Sequence, residues 1–153
     1  MFFFDKNDKK IIVTHNKLRD EKKITINNKE IKKTSEVLGK IPCVVLSPED
    51  SDIVSGPNNN RLKYVDKILS TTNKKYLNSL IKYQKTLKHR NKLLKNKTSK
   101  EEIIAWGEQL AEPAIEIWKQ RDLFFKTYEN QIQNQYKKLE LPGDIKITYK
   151  RLK

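Results

Sequence analysis

Three carboxylates, Glu49, Asp50 and Asp52, fall within four residues shortly beyond an apolar run, in the stretch VVLSPEDSD from Val44 to Asp52. Carboxylates at the carboxyl end of a buried strand hold magnesium in nucleotide hydrolases, where they face a phosphate loop. Such a loop needs closely spaced glycines, in the form GxxxxGK[S/T], so that backbone N–H groups can cradle phosphates. The chain has four glycines, Gly39, Gly56, Gly107 and Gly143, too far apart to assemble one. Ser47 and Pro48 also separate the apolar run from the acids. In the competing structural account, Ser47 caps a turn or short helix and Pro48 takes its first position. Glu49 and Asp50 then sit at the positive end of its dipole. A metal-dependent enzyme built on Glu49, Asp50 and Asp52 would instead show magnesium-dependent activity abolished by Asp50→Ala.

The remaining reactive side chains point away from catalysis. His15 and His89 have no acidic or cysteine neighbour at metal-ligand spacing, so each reads as a surface residue rather than a ligand or base. Cys43, the one cysteine, sits inside IPCVVL and reads as a small buried apolar residue. Ser47 and Ser51 lack the glycines of a nucleophile elbow. No catalytic residue, metal ligand or cofactor-binding residue is assigned on this reading.

Charge is the stronger signal. The 153 residues carry a formal net charge of +14, and 28 of the 33 basic residues are lysine. An AT-rich genome over-encodes lysine, asparagine and isoleucine, but codon drift does not concentrate charge. Residues 1–60 have a net charge of +2 and residues 101–153 of zero, whereas residues 61–100 have 13 basic side chains against Asp66 alone, a net of +12. That segment reads either as a phosphate-contacting surface or as a solvated face partly answered by Glu101, Glu102, Glu108, Glu112 and Glu116.

The elements that must carry these groups follow from periodicity. KKIIVTH, KKITI and NNKEIKK alternate apolar and polar residues, and Asn27-Asn28 can take the positive φ angles of a tight turn, so a β-hairpin or three-strand meander is expected. Thr34 or Ser35 could cap a short helix ended by Gly39, after which IPCVVL reads as a strand. Beyond Pro57 the period becomes helical. Leu77, Leu80, Gln84, Leu87, Asn91 and Leu94 form a 3-4 spaced seam with Tyr76 and Tyr83 beside it, and Ser99 with Glu102 has capping-box form. IKITYK closes the chain as an alternating strand.

The expected fold is α+β: a β-rich lobe over 1–57, a helical arm over 58–140 and a terminal strand over 141–153. Within the arm, helices are expected at about 61–70, 74–96 and 100–139, packed as an antiparallel hairpin, with a kink at Pro113. The longest apolar runs, MFFF and Ile41–Leu46, fall far short of the ~20 residues of a membrane span. No basic residue precedes Phe2 as a signal peptide requires, so a cytoplasmic protein is expected.

Four segments, in order, resemble RecF, the bacterial recombination-repair family related to SMC and ABC ATPases. They are IPCVVLSPEDSDIVSG, RLKYVDKILS, YLNSLIKYQKTLKHRNKLLK and WGEQLAEPAIEIWKQRDLFF. These are similar to the family's apolar-SPED segment, its RRxFLD box, its YxxxLxxYxxxLxxRNxLLK helix and its tryptophan-led helix ending in an arginine before aromatics. Arg61, Tyr64, Val65 and Asp66 match the box, and Arg90, Asn91, Leu93 and Leu94 the RNxLLK end. Leu62 replaces the box's second arginine, His89 a usual glutamine, and Pro113 interrupts a helix.

The resemblance implies part of an ATPase head, between the family's phosphate loop and its signature and Walker B motifs. On that basis a fragment, a split gene or a decaying copy is expected. It implies ATP-dependent binding of single-stranded and gapped duplex DNA by the full-length family, with magnesium, RecO and RecR as partners, RecA loading as outcome and an ATPase-type homodimer. The chain itself is expected to bind no ATP and to catalyse nothing. Its candidate DNA contacts are Arg61, Lys63, Lys67, Lys82, Lys85, Lys88, Arg90, Lys92 and Lys95, while Pro48, Asp66, Asn91 and Arg121 are motif residues with structural roles. The alternative is a helical protein-interaction module without DNA binding.

Overall fold

The computed structural model describes residues 2–6, 9–40, 47–140 and 142–150; for 2–6, 9, 34 and 49 it describes the backbone alone. IPCVVL, expected as a strand around a buried Cys43, lies outside the described residues. Two compact units emerge, Met1–Val45 and Leu46–Lys153. The division therefore falls before the SPED turn and not at residue 57.

The first unit is an antiparallel meander of four strands in sequential order, β1 Phe2–Lys6, β2 Lys9–Asn16, β3 Glu21–Ile26 and β4 Lys29–Ile31. β1, drawn from the initial apolar run, adds a strand beyond the three expected. Ile11 stands opposite Ile26, Val13 opposite Ile24, and Ile24 opposite Ile31, so alternate apolar residues share one face. Ile11 is 3% exposed and anchors that face. Asn27 and Asn28 have φ of 49° and 64°, the geometry a two-residue hairpin demands. The Asn27 side chain fixes the turn further by accepting from the Lys10 N–H at 2.9 Å.

In the second unit, a short 3-10 turn, Pro48–Ser51, leads into α1 Asp52–Ser55. Then come α2 Asn58–Thr72, α3 Lys74–Lys95, α4 Lys100–Glu108 and α5 Ala111–Lys138. The cross-links Lys75 to Glu116, Lys82 to Glu112 and His89 to Trp106 descend one side as they climb the other, so α3 runs antiparallel to α4 and α5.

Pro113 does not kink the long helix. The break comes earlier, at Gln109–Leu110, and Pro113 lies in the first turn of α5, where its missing N–H would have had no intrahelical partner. The core gathers Val65 and Leu69 of α2, Tyr76 of α3 and Ile117 of α5, flanked by Leu80, Tyr83, Phe124 and Phe125. Burying each such side chain contributes roughly 1.5–3 kcal/mol.

IKITYK keeps its alternation, with Ile145, Ile147 and Tyr149 partly buried and Lys146, Thr148 and Lys150 exposed. It nevertheless forms no strand among the described residues, because a strand is defined by a paired neighbour. It runs instead along α5: Gln133 donates to the Ile145 carbonyl, Tyr136 to the Pro142 carbonyl, and Tyr149 stacks on Phe125 at 4.9 Å.

Candidate nucleic-acid interface

Asn73 separates α2 from α3 and serves both. Its backbone N–H closes α2 on the Leu69 carbonyl, while its side-chain oxygen accepts from the Tyr76 N–H at 3.0 Å, capping α3. Its amide nitrogen reaches Gln120 of α5 at 3.1 Å, and Gln120 in turn donates to Glu116. These contacts place Tyr76 beneath Asp66.

The resulting network is the arm's base. Arg121 donates from Nη2 to Asp66 at 2.7 Å and from Nε to the Tyr76 hydroxyl at 3.1 Å, and Tyr76 donates to Asp66. Tyr76 is fully buried, with Asp66 and Arg121 only 20% and 14% exposed. Burial first, and then the hydrogen bond to Asp66, push the Tyr76 hydroxyl well above the usual tyrosine range. For Arg121 burial opposes the charge, but hydrogen bonds to Tyr149 and Asp66 more than offset it and raise its pKa. Asp66 and Arg121, singled out as structural motif residues, thus meet across 55 positions, with Tyr76 as the unassigned third member.

The SPED segment is equally self-contained. Pro48 opens the 3-10 turn, and the Asp50 side chain accepts from the Ser47 N–H at 2.8 Å, the returning half of a capping box. Arg61 donates from Nη1 to the carbonyls of Ile53, Val54 and Gly56 at 3.0, 3.2 and 3.1 Å, capping the end of α1. A Cβ on Gly56 would fall 2.4 Å from the Asp52 carbonyl, so only glycine lets this turn close. Arg61, a candidate DNA contact by sequence, is thereby occupied by its own backbone.

At the far end, α3 finishes with Lys97 in the left-handed region at φ 52°, the Lys97 N–H on the Leu94 carbonyl and the Thr98 N–H on that of Leu93. This is a Schellman closure with lysine where glycine is preferred. Ser99 then caps α4 through the Glu102 N–H, as the capping-box spacing predicts. Between α3 and α4 lies a groove of about 950 Å³, lined among others by Lys82, Lys85, Lys88, Lys92, Lys95 and Trp106, with no acidic side chain in its wall.

Five of the nine predicted contacts therefore share one groove, and Asn91 joins them. Lys82 is paired with Glu112 at 2.6 Å, and this bond holds the Glu112 carboxyl below its ordinary value. Lys85, Lys88, Lys92 and Lys95 have no ion-pair partner among the described residues. Arg90 is only partly exposed, its Nε buried without a hydrogen-bond partner, while Lys63 and Lys67 are exposed on α2. His89 packs against Trp106 with ring centroids 4.1 Å apart. In the first unit, His15 pairs with Asp20 at 3.1 Å. Trp106 is the member of the groove that charge counting missed; its place opposite the lysines was encoded in the antiparallel register of α3 and α4.

No family model matches the chain. Among curated proteins, it is 37% identical over 130 residues to the DNA replication and repair protein RecF of Chlorobium phaeobacteroides, covering 80% of this chain and 36% of the relative. It is 38% identical over 132 residues to RecF of a Thermoanaerobacter species, covering 84% and 36%. RecF of Azobacteroides pseudotrichonymphae matches at 35% over 150 residues, covering 92% and 41%. The chain thus spans a little over a third of the length of the relatives it matches. Among solved structures, the recombination mediator protein RecF-ATPrS in the RecFOR pathway superposes with a TM-score of 0.76 at 32% identity, over 88% of this chain and 37% of that one. Its RecF-ATP counterpart gives a TM-score of 0.75 over 84% and 35%. Sequence and fold agree: the chain belongs to the RecF family of DNA replication and repair proteins.

Proposed function

We propose that the helical arm gives a RecF-type protein a DNA-contacting surface, with the groove between α3 and α4 as the place where phosphates are neutralised. One observation carries this reading: among the described residues five lysines line the groove, no carboxylate does, and only Lys82 of the five is engaged in an ion pair. Ammonium groups crowded on one helix face repel one another, and a polyanion that exchanges its counterions for them relieves that repulsion. Lys63 and Lys67 extend the basic surface along α2.

Nucleotide binding belongs elsewhere on this reading. The residues present do not fit a magnesium–ATP site: no GxxxxGK[S/T] stretch occurs, and no group of three His, Cys, Asp or Glu side chains is placed to hold a metal among the described residues. Asp50, the best candidate ligand, is committed to the Ser47 N–H. On this reading magnesium, ATP and an ATPase-type homodimer belong to the full-length family. RecO and RecR are the protein partners this reading implies, and the working compartment is the bacterial cytoplasm. No described helix is long and apolar enough to cross a membrane.

A salt titration tests the phosphate contact. Four lysines without an ion-pair partner among the described residues should give a log–log slope of about −3.6 on duplex DNA, about −0.9 per contact. Absence of binding at low salt would favour the second reading, docking of a protein through the outer face of α5, where Ile115 and Leu123 are each 61% exposed.

A further inference from the structure

One stripe of the groove is not made of lysine alone. Lys82, Lys85, His89, Lys92 and Asn96 follow one another at intervals of three, four, three and four residues, so they share one face of α3 and its C-cap, and all five line the groove. His89 fills the middle of the stripe, where Lys85 and Lys92 stand about 10 Å apart along the helix axis. Its ring is exposed and rests on the half-buried indole of Trp106, contributed by α4.

Between about pH 5 and pH 8 histidine is the side chain whose charge ordinarily changes, while lysine stays charged. An anion laid across Lys85 and Lys92 passes the imidazole between them, and an opposite charge within about 4–6 Å favours the protonated ring. Trp106 does not oppose that charge, because the face of an indole attracts cations. The charged groups beside the ring in this wall are Lys85, Lys88 and Lys92 of its own helix. From α4 come Trp106 and Gln109, while Glu101, Glu102 and Glu108 of that helix stay out of the wall. Among the described residues, no carboxylate of the groove competes with a bound anion for the ring.

We infer that His89 is a proton-dependent phosphate contact of this groove: neutral, it interrupts the basic stripe, and charged, it joins Lys85 to Lys92. The inference rests on the phosphate-contact reading above and adds a dependence on protons to it. A ring that holds its proton more firmly with the polyanion bound takes protons up on binding, so affinity rises as pH falls.

The test uses the full chain with His15→Gln, which leaves His89 as the sole histidine of two. A blunt duplex of about 20 base pairs, two helical turns, is titrated at low salt and at several pH values. Affinity should rise about tenfold from about pH 8 to about pH 5.5, the effect of one nearby opposite charge on a single titrating group. Over the same interval the log–log salt slope should steepen by about 0.9, as one further cation meets a phosphate. The His89 ring protons, followed by NMR, should titrate at higher pH with the duplex bound than without it. His89→Gln, neutral throughout, should match its parent at the alkaline end and lose both changes. His89→Lys, charged throughout, should bind at the alkaline end as tightly as the parent does at the acidic end. A pH dependence that survives His89→Gln, or a parent whose binding ignores pH, would overturn the His89 contact and leave phosphate neutralisation by the lysines standing. Failure of the duplex to bind at any pH would overturn the two together.

Discussion

The two ends of the helical arm treat charge in opposite ways. At the base, Asp66, Tyr76 and Arg121 are withdrawn from water and satisfy one another, and the same corner adds Asn73, Gln120 and Glu116 as a hydrogen-bonded chain. At the tip, four lysines stand on one face of α3 with no ion-pair partner among the described residues, beside a tryptophan and no described carboxylate. Buried charge demands pairing, because an isolated ion away from water costs several kcal/mol, whereas exposed charge costs little to leave open. Position, more than residue type, thus separates the charges that hold the arm together from those free to meet a ligand. Arg61 makes the point most clearly: basic, and in the basic segment, it is spent on the carbonyls of α1.

The comparison is broken most severely at the base. Asp66→Ala leaves Arg121 and Tyr76 facing an empty acceptor and should destabilise the chain by about 3–5 kcal/mol, read as a lowered urea midpoint. Replacing Asp66 and Arg121 together by apolar residues of similar size should recover most of that loss. The tip answers differently. Exchanging Lys85, Lys88, Lys92 and Lys95 for glutamine should lower low-salt DNA affinity by about two orders of magnitude and flatten its salt dependence, while the urea midpoint stays within error. A matching loss of stability would erase the distinction between the ends.

Smaller changes sharpen it. Lys97→Gly removes a side chain from a left-handed position and should stabilise the chain by about 1 kcal/mol in thermal unfolding, since glycine carries no such penalty. Smallest of all is Glu112, whose carboxyl is held below 4.5 by Lys82. A depressed carboxylate contributes stability that is present above 4.5 and lost as pH falls below it. Because the pair is exposed, Glu112→Gln should leave the melting temperature unchanged at neutral pH and blunt only slightly the loss on acidification.

Local chemistry was legible and long-range closure was not. The Asn27-Asn28 turn, the Ser99 cap and the lysine row of α3 are written within a few residues, so periodicity and capping rules reach them. Asp66 and Arg121 were singled out only through family motifs, and nothing local tells that they close over Tyr76 across 55 positions. The bonds of Arg61 are hidden for the same reason: its charge is visible in sequence, but a guanidinium folded back on carbonyls is not. Pro113 misled because its position counted from the helix start, which required knowing that the turn falls at Gln109–Leu110. Trp106 escaped because an aromatic among helical apolar residues looks like core until the partner helix is in register.

Asn73 has a consequence for how this arm can change length. It ends one helix and starts the next, so the ten positions from Asp66 to Tyr76 are counted across it. Adding one residue there would turn α3 by about 100°, carrying Tyr76 off Asp66 and the lysine row away from Trp106. The loop from Asn96 to Ser99 bears no such count, since each helix is capped there separately. Insertions and deletions should accumulate at the tip and be excluded from the base.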